Sequence, residues 1–246
     1  MDRMLYISMT GAKHHMHSMQ SVGNNLANAT TTGFREDLSQ FRSMPVFGPG
    51  HPTRAYAMAE RPGLNFTSGP IQQTGRDLDI AIDGDGWIAV QNNDGTEAYT
   101  RAGNLKITPT GQLVTEKGLA VIGEDGPIAV PPAEKVEVAS DGTISIRPVG
   151  QNAVGMAVIE RIKFVRPPLQ EMYKGKDGLM RHMSDQVQPA NANVRVVSGA
   201  LEGSNVNTVE AMVKMIDLQR NYEMQVKSMS AASDIAESTS SIMRIS

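Results

Sequence analysis

The chain has 246 residues, a formal net charge of -3, 40% hydrophobic residues and only 4% aromatic residues. Because neither sign of charge dominates, the composition lacks the basic surface typical of proteins that bind nucleic acid or anionic membranes. The absence of cysteine excludes disulfides, thiolate metal sites and cysteine nucleophiles, and no apolar run approaches the roughly 18 residues of a membrane-spanning helix, so neither nucleic acid nor direct membrane insertion is expected.

The first predicted element is an amphipathic helix that ends before Gly33, because three threonines followed by glycine disfavour a helix. We assign residues 1–42 to an N-terminal assembly helix and its turn. No basic segment followed by an apolar core is present, so no cleavable secretion signal is expected. A 4,3 spacing predicts a coiled-coil-like seam made of Leu5, Met9, Ala12, Met16, Met19, Gly23 and Leu26.

A connector and a β domain follow. Residues 43–76 are rich in Pro and Gly, which disfavour helices and central strands, so they predict an irregular connector. Residues 77–202 combine period-two alternation with Gly and Asp turns, which predicts a central antiparallel all-β domain. The alternating residues are Leu78, Ile80, Ile82, Trp87, Ala89, Leu105, Ile107, Val136, Val138, Ile144 and Ile146.

The last element, residues 203–246, is predicted to be a second assembly helix that begins at the N-cap residue Asn207. Because an apolar seam in water favours association, we expect the terminal helices to pair with each other and with other subunits. The predicted fold class is α+β, with the N- and C-terminal helices paired as a coiled-coil-like layer. The second seam is Met212, Met215, Gln219, Tyr222, Val226, Met229, Ser233 and Ala236.

Two terminal motifs carry a resemblance to a known family. Residues 24–34 read NNLANATTTGF, which resembles the N-terminal signature of flagellar rod and hook proteins. Residues 203–223 begin GSNVN and end with QRNYE, and they are similar to the closing helix of the same family. The segments MDR at 1–3, DGWIAV at 85–90, PIAVP at 127–131 and RVVSG at 195–199 look most like its proximal-rod branch.

The resemblance implies a structural subunit of the flagellar basal-body rod, the drive shaft used for swimming motility. The resemblance implies that such a subunit is exported without a cleaved signal peptide by the flagellar type III apparatus and polymerises in the periplasm. The implied partners are proximal rod subunits, the distal rod protein and the export apparatus. Subunits with different faces at their two ends form open helical filaments when the rotation between them does not close. We expect no enzymatic activity, no catalytic residue, no metal and no cofactor.

The predicted assembly interface lies in the two terminal segments. Asn24, Asn25 and Asn28 carry donors and acceptors that can fix register across subunits, as buried Asn does in coiled coils. Phe34 is expected to be an apolar anchor after the turn. The interface comprises Leu5, Met9, Met16, Met19, Asn24, Asn25, Leu26, Asn28, Gly33, Phe34, Asn205, Val206, Met212, Met215, Gln219, Arg220, Tyr222, Val226 and Met229.

Clusters of histidines and carboxylates are candidates for a metal site or a catalytic site. His14, His15 and His17 fall at helical spacing, but without a nearby cysteine or carboxylate a solvated helix face is the better interpretation. A Ser-His-Asp arrangement is not predicted, because the other histidines lie in the connector and at His182.

Asp77, Asp79, Asp83 and Asp85 suggest the paired carboxylates of a cell-wall glycan hydrolase. The alternation of residues instead favours a solvated strand face for them. The distal rod protein of the same family, and a secreted binding module or adhesin with a β domain on a helical stalk, remain alternatives. A rod subunit associates with its rod neighbours, whereas a binding module works as a dilute monomer.

Overall fold

The computed structural model describes residues 3–45, 55–60, 63–148 and 156–245. The chain divides into two compact units. The first, the helical unit, draws on Met1–Ala29, Glu36–Asn65 and Val206–Ser246, and the second, the β unit, draws on Thr30–Arg35 and Phe66–Asn205. Helices and a large antiparallel sheet confirm the α+β class. Within the described ranges, neither helix combines the length and apolar character that crossing a bilayer requires.

Two long helices, α1 (Arg3–Ala27) and α2 (Thr208–Ile245), contact each other in the helical unit. The hydroxyls of Ser8 and Ser228 lie 3.2 Å apart at this contact. The side chain of Asn207 caps α2 by accepting hydrogen bonds from the N–H groups of Val209 (3.1 Å) and Glu210 (3.3 Å). Both the N-cap of α2 and the end of α1 before the Thr-Gly run confirm the sequence predictions.

The buried face of α1 differs from the predicted seam at two of its seven positions, Met9 and Met16. Met9 and Met16 are 51% and 48% exposed, because the buried column lies one residue earlier. Small side chains explain the shift, since a Cβ on Gly11 would lie only 3.2 Å from Cδ of Gln225 and bulky residues have no room there. The buried residues of α1 are Ser8, Gly11, Ala12, Ser18, Val22 and Asn25.

The same displacement occurs in α2. Met212 and Val226 are exposed, while the residues one position earlier, Ala211 and Gln225, are buried and half-buried. Ala211, Leu218 and Ala232 are buried, while Met215, Tyr222 and Met229 from the predicted seam are half-buried. Each helix therefore presents a second row of apolar side chains that the helical unit leaves uncovered.

Two strands of the helical unit fall in a stretch predicted to be mostly irregular. Strand β1 (Gln40–Pro45) pairs antiparallel with β2 (Ala55–Glu60), with Ser43 opposite Ala57. The prediction of an irregular connector rested on Pro and Gly disfavouring central strands. A two-stranded ribbon has only edge strands, so Pro45 is tolerated at the end of β1. A further strand, β3 (Ile71–Gln73) in the β unit, also lies within residues 43–76.

The strands of the β unit are β3 (Ile71–Gln73), β4 (Ile80–Asp83), β5 (Trp87–Gln91), β6 (Glu97–Thr100), β7 (Leu105–Ile107), β8 (Leu113–Thr115), β9 (Ala120–Val121), β10 (Ala133–Val138), β11 (Thr143–Pro148), β12 (Ala157–Arg161), β13 (Phe164–Val165), β14 (Met172–Lys174), β15 (Met180–His182), β16 (Arg195–Ser198) and β17 (Ala200–Glu202). A 3-10 turn, Leu169–Glu171, precedes β14.

The largest sheet of the β unit has the strand order β14-β15-β6-β5-β9-β8-β7, and β13 pairs with β5. Strands β10, β11 and β12 form a second sheet, while β16 pairs with β4 and β17 with β3. Every pairing among these described strands is antiparallel, which confirms the predicted β organisation.

The core of the β unit contains Ile80, Ile88, Ile144 and Phe164, all fully or almost fully buried. Strands β4 and β5 are buried on both faces, so they do not show the one-sided burial that alternation predicts. Trp87 is buried, as expected of a core residue.

The expected solvated carboxylate face is wrong for one of its four residues. Asp79 is buried, and its carboxylate accepts hydrogen bonds from the hydroxyl of Thr74 (2.7 Å) and from Nε of Arg76 (2.9 Å). A buried carboxylate requires such partners. Asp77, Asp83 and Asp85 are exposed, as predicted.

Candidate functional site

The two terminal motifs meet in the β unit. The N–H of Gly33 donates to the carbonyl of Glu202 (2.8 Å), and the N–H of Asn205 donates to the carbonyl of Phe34 (3.3 Å). The side chain of Asn205 donates to the carbonyl of Thr67 (3.0 Å). We call residues 33–35, 67–70 and 202–205, together with Arg101, the motif junction. It joins segments from opposite ends of the sequence by main-chain hydrogen bonds.

Gly33 allows these segments to approach closely. Its φ of +68° lies in the left-handed region, and a Cβ at this position would lie 2.4 Å from the carbonyl carbon of Arg101. Any other residue would both strain the backbone and overlap the Arg101 main chain. The Gly of the N-terminal motif is therefore a packing requirement of the junction.

A buried carboxylate between two arginines forms the charged centre of the junction. Glu202 accepts from Nη2 of Arg35 (2.6 Å) and from the N–H of Gly69 (3.0 Å) through Oε1, and from Nη1 of Arg101 (2.9 Å) through Oε2. Arg101 also donates to the carbonyl of Gly84 (2.7 Å). The side chains of Arg35, Arg101 and Glu202 are 2%, 4% and 1% exposed.

Both guanidinium groups also lie against the face of Trp87, at 5.9 Å for Arg35 and 5.3 Å for Arg101. Phe66 packs edge-on against the same indole. Burial lowers the pKa of Arg101, while attraction to Glu202 acts in the opposite direction. Sequence reasoning missed this charged centre. The one available signal was that Arg35 directly follows the TGF motif, and Glu202 directly precedes the GSNVN motif.

Asn25 has an intramolecular role that its predicted position in the interface did not anticipate. Its side-chain amide donates to the carbonyl of Asp37 (2.9 Å) and accepts from the N–H of Asp37 (3.0 Å). Asn25 is buried, so it fixes the path of its own chain after α1. Asn24 is exposed, and the Asn28 side chain donates to the Asn24 carbonyl (2.9 Å).

The structure divides the predicted interface residues between the two units. Gly33, Phe34 and Asn205 belong to the β unit, and the others belong to the helical unit. Phe34 is buried, with Nζ of Lys174 3.7 Å from its ring centre, so it is an anchor inside the β unit. The exposed members are Met9, Met16, Asn24, Met212, Gln219, Arg220 and Val226, and the remaining helical members are half-buried or buried.

The expected solvated face is wrong for His14 and His15. His14 accepts a hydrogen bond from the N–H of Ala59 in β2 (3.1 Å). The His15 ring lies 5.0 Å from the Phe41 ring in β1. These histidines thus hold the β1–β2 ribbon against α1, whereas His17 is exposed. Among the described residues, no group of His, Asp and Glu is arranged to hold a metal ion.

His15 makes the stability of the helical unit depend on pH. Burial and the neighbouring His14 lower the pKa of His15 below its ordinary value of 6.5. The unfolded chain therefore binds the proton more tightly, and stability falls as pH drops below about 6.5. We expect a lower thermal midpoint of the helical circular dichroism signal at pH 5.5 than at pH 7.5, with a smaller difference in His15→Phe. The idea is rejected if His15→Phe and the exposed control His17→Asn keep the same pH dependence.

A Ser-His-Glu chain of hydrogen bonds was also missed. Nε2 of His182 lies 2.7 Å from Oε2 of Glu171, and Nδ1 lies 2.7 Å from Oγ of Ser184. A cavity of about 300 Å³ adjoins His182. The Ser184 N–H also donates to Nδ1 (3.3 Å), so the serine closes a local turn, and Glu171 is 56% exposed. This geometry stabilises a turn and does not resemble a buried, oriented catalytic triad.

Two family models match the chain. The C-terminal model of the flagellar basal body rod FlgEFG proteins matches residues 197–242, and the D1 domain model of the flagellar hook protein FlgE/F/G matches residues 81–146. The flagellar basal-body rod protein FlgF of Escherichia coli (strain K12) is 42% identical over 100% of both chains. The chain belongs to the flagellar basal-body rod protein family. Both family matches include parts of the motif junction.

Other members of the rod family agree with this assignment. FlgF of Salmonella typhimurium is 42% identical over 92% of each chain. FlgG of Bacillus subtilis is 31% identical over 99% of this chain and all of its own length. The resemblance seen in the terminal motifs is thus confirmed, as is its likeness to the FlgF branch.

Proposed function

We propose that the chain is a structural subunit of the proximal flagellar rod and has no enzymatic activity. It is exported by the flagellar type III apparatus and polymerises in the periplasm. Its partners are other proximal rod subunits and the distal rod protein FlgG. The observation that carries the proposal is the uncovered apolar row on each of the two long helices.

Each helix uses one face inside the subunit and leaves large side chains on another. Met9 and Met16 in α1, and Met212 and Val226 in α2, are between 41% and 52% exposed. Full burial of an exposed side chain of this size contributes about 1.5–3 kcal/mol, so covering the exposed half of each one contributes about half of that and favours association with further helices. Methionine is flexible and adapts to non-identical surfaces, which suits a junction between different rod proteins.

We further propose that α1 and α2 form a coiled-coil-like layer. Seven of the nine buried or half-buried residues in the described part of α2 follow a 4,3 spacing, which supports this geometry. They are Ala211, Met215, Leu218, Tyr222, Gln225, Met229 and Ala232. In this scheme residues 1–42 and 203–246 are the assembly segments, residues 43–76 connect them to the β domain, and residues 77–202 form that domain.

Replacing the uncovered row tests the assembly role. We expect Met212→Gln with Val226→Gln to lower co-assembly with purified FlgG by more than about tenfold, because two buried apolar contacts are lost. The fraction of full-length protein that sediments measures the effect, and negative-stain microscopy identifies the assemblies. The matched control, Lys214→Gln with Lys227→Gln, changes exposed polar residues of the same helix.

Two results would contradict the proposal. One is normal co-assembly of the Met212 and Val226 variant with unchanged helical circular dichroism. The other is hydrolysis or saturable binding of cell-wall glycan by the dilute monomer, with the same activity in the variant that carries Met212→Gln and Val226→Gln. The second result favours the hydrolase or binding-module alternatives.

A further inference from the structure

A small cavity of about 20 Å³ lies in the β unit beside Arg35, Arg101 and Trp87. A volume near 10–15 Å³ is enough for one water-sized particle. The cavity is therefore large enough for a single atom or water molecule, and too small for a phosphate, a sulfate or a carboxylate. Its walls belong to the motif junction and to the neighbouring sheet.

The arginines on this cavity carry N–H groups without partners. Nε and Nη1 of Arg35, and Nε of Arg101, are buried and make no hydrogen bond within the described part of the chain. A buried donor left without an acceptor costs about 1–3 kcal/mol, and more when the group is charged. Every one of these orphan groups is a donor. The complementary ligand must therefore be a hydrogen-bond acceptor.

The local charge distinguishes an anion from a water molecule. Arg35 and Arg101 share one carboxylate, Glu202, so the buried group keeps one excess positive charge. Lys174 also lines the cavity, and its ammonium group donates to the carbonyl of Arg35 (2.9 Å). Positive charge in a site of low dielectric strongly favours a negative partner over a neutral one.

We propose that this cavity binds one monatomic anion of the halide class, held by the unpartnered N–H groups of Arg35 and Arg101. The anion balances the second guanidinium, as Glu202 balances the first. It completes the hydrogen bonding of the motif junction, and the small volume selects a halide against larger oxyanions.

Trp87 is the single tryptophan of the chain and reports directly on the site. Full-length protein is titrated with sodium bromide at constant ionic strength, with sodium gluconate as the replacement salt. We expect saturable quenching of Trp87 fluorescence by bromide, competition by chloride and no competition by sulfate. Anomalous scattering from crystals soaked in bromide should place a peak beside both guanidinium groups.

A substitution of Lys174 tests the anion proposal without altering Arg35, Arg101 or Glu202. We expect Lys174→Met to weaken bromide binding about fivefold or more, because it removes one nearby positive charge. Lys135→Met, on an exposed pair with Glu137 in β10, should leave binding unchanged. Quenching that is linear in bromide, equal competition by sulfate, or an unchanged affinity in Lys174→Met would overturn the proposal and leave the cavity with water or an adventitious ion only.

Discussion

Glu202→Gln is expected to lower the free energy of unfolding of the β unit by about 3–5 kcal/mol. The substitution removes the carboxylate that Arg35 and Arg101 share, which is the only negative side chain that pairs with these two buried guanidinium groups in the described part of the chain. The amide of glutamine also turns a donor toward one of the arginines, which already carry unpartnered donors. Loss of one partner from a buried ionic group is far more costly than loss of an exposed ion pair.

Urea unfolding followed by Trp87 fluorescence measures this effect, because the indole contacts both guanidinium groups. Glu137→Gln is the matched control, since Glu137 pairs with Lys135 on an exposed strand and its loss should change stability by no more than about 1 kcal/mol. If both variants unfold at the same urea concentration as the parent, the buried triad has no large role in stability.

Gly33→Ala is expected to destabilise the β unit by at least about 2 kcal/mol more than Gly75→Ala. The two glycines have nearly the same φ, +68° and +72°, in the left-handed region. A Cβ at Gly33 would meet the main chain of Arg101 at 2.4 Å, whereas a Cβ at Gly75 would meet nothing within 4 Å. Both variants therefore carry the left-handed strain, and only Gly33→Ala carries the overlap.

The difference in stability between the two alanine variants measures the cost of the overlap between a Cβ at residue 33 and the main chain of Arg101. Chemical unfolding monitored by Trp87 fluorescence gives this difference. A swimming assay then shows the consequence for assembly, in cells that express Gly33→Ala in place of the parent protein. Equal destabilisation by the two substitutions would show that the motif glycine is needed for its conformation alone.

Local patterns predicted much of the fold. Helix ends depend on neighbouring residues, so the cap at Asn207 and the stop before Gly33 could be read directly. The family motifs are contiguous, so they too were visible. The triad of Arg35, Arg101 and Glu202 could not be predicted, because its members are far apart in sequence and share no periodicity.

The seam error has a different physical origin. Hydrophobicity ranks Met9 and Met212 above serine or alanine, so the periodic pattern selects the large residues as the contact face. Close helix packing instead selects small side chains such as Gly11 and Ala211, which let the backbones approach. The histidine prediction failed similarly, because nothing in the sequence indicated that β1 and β2 would cover α1.

The motif junction also determines when the β unit can finish folding. Its main-chain bonds join residues 33–34 to residues 202–205, and such non-local pairing makes folding slow because a long loop must close first. During synthesis, which starts at the N-terminus, Arg35 and Arg101 are added to the chain long before Glu202. Until then the nascent chain lacks both its final main-chain closure and its internal counter-ion, so the β unit cannot complete its fold.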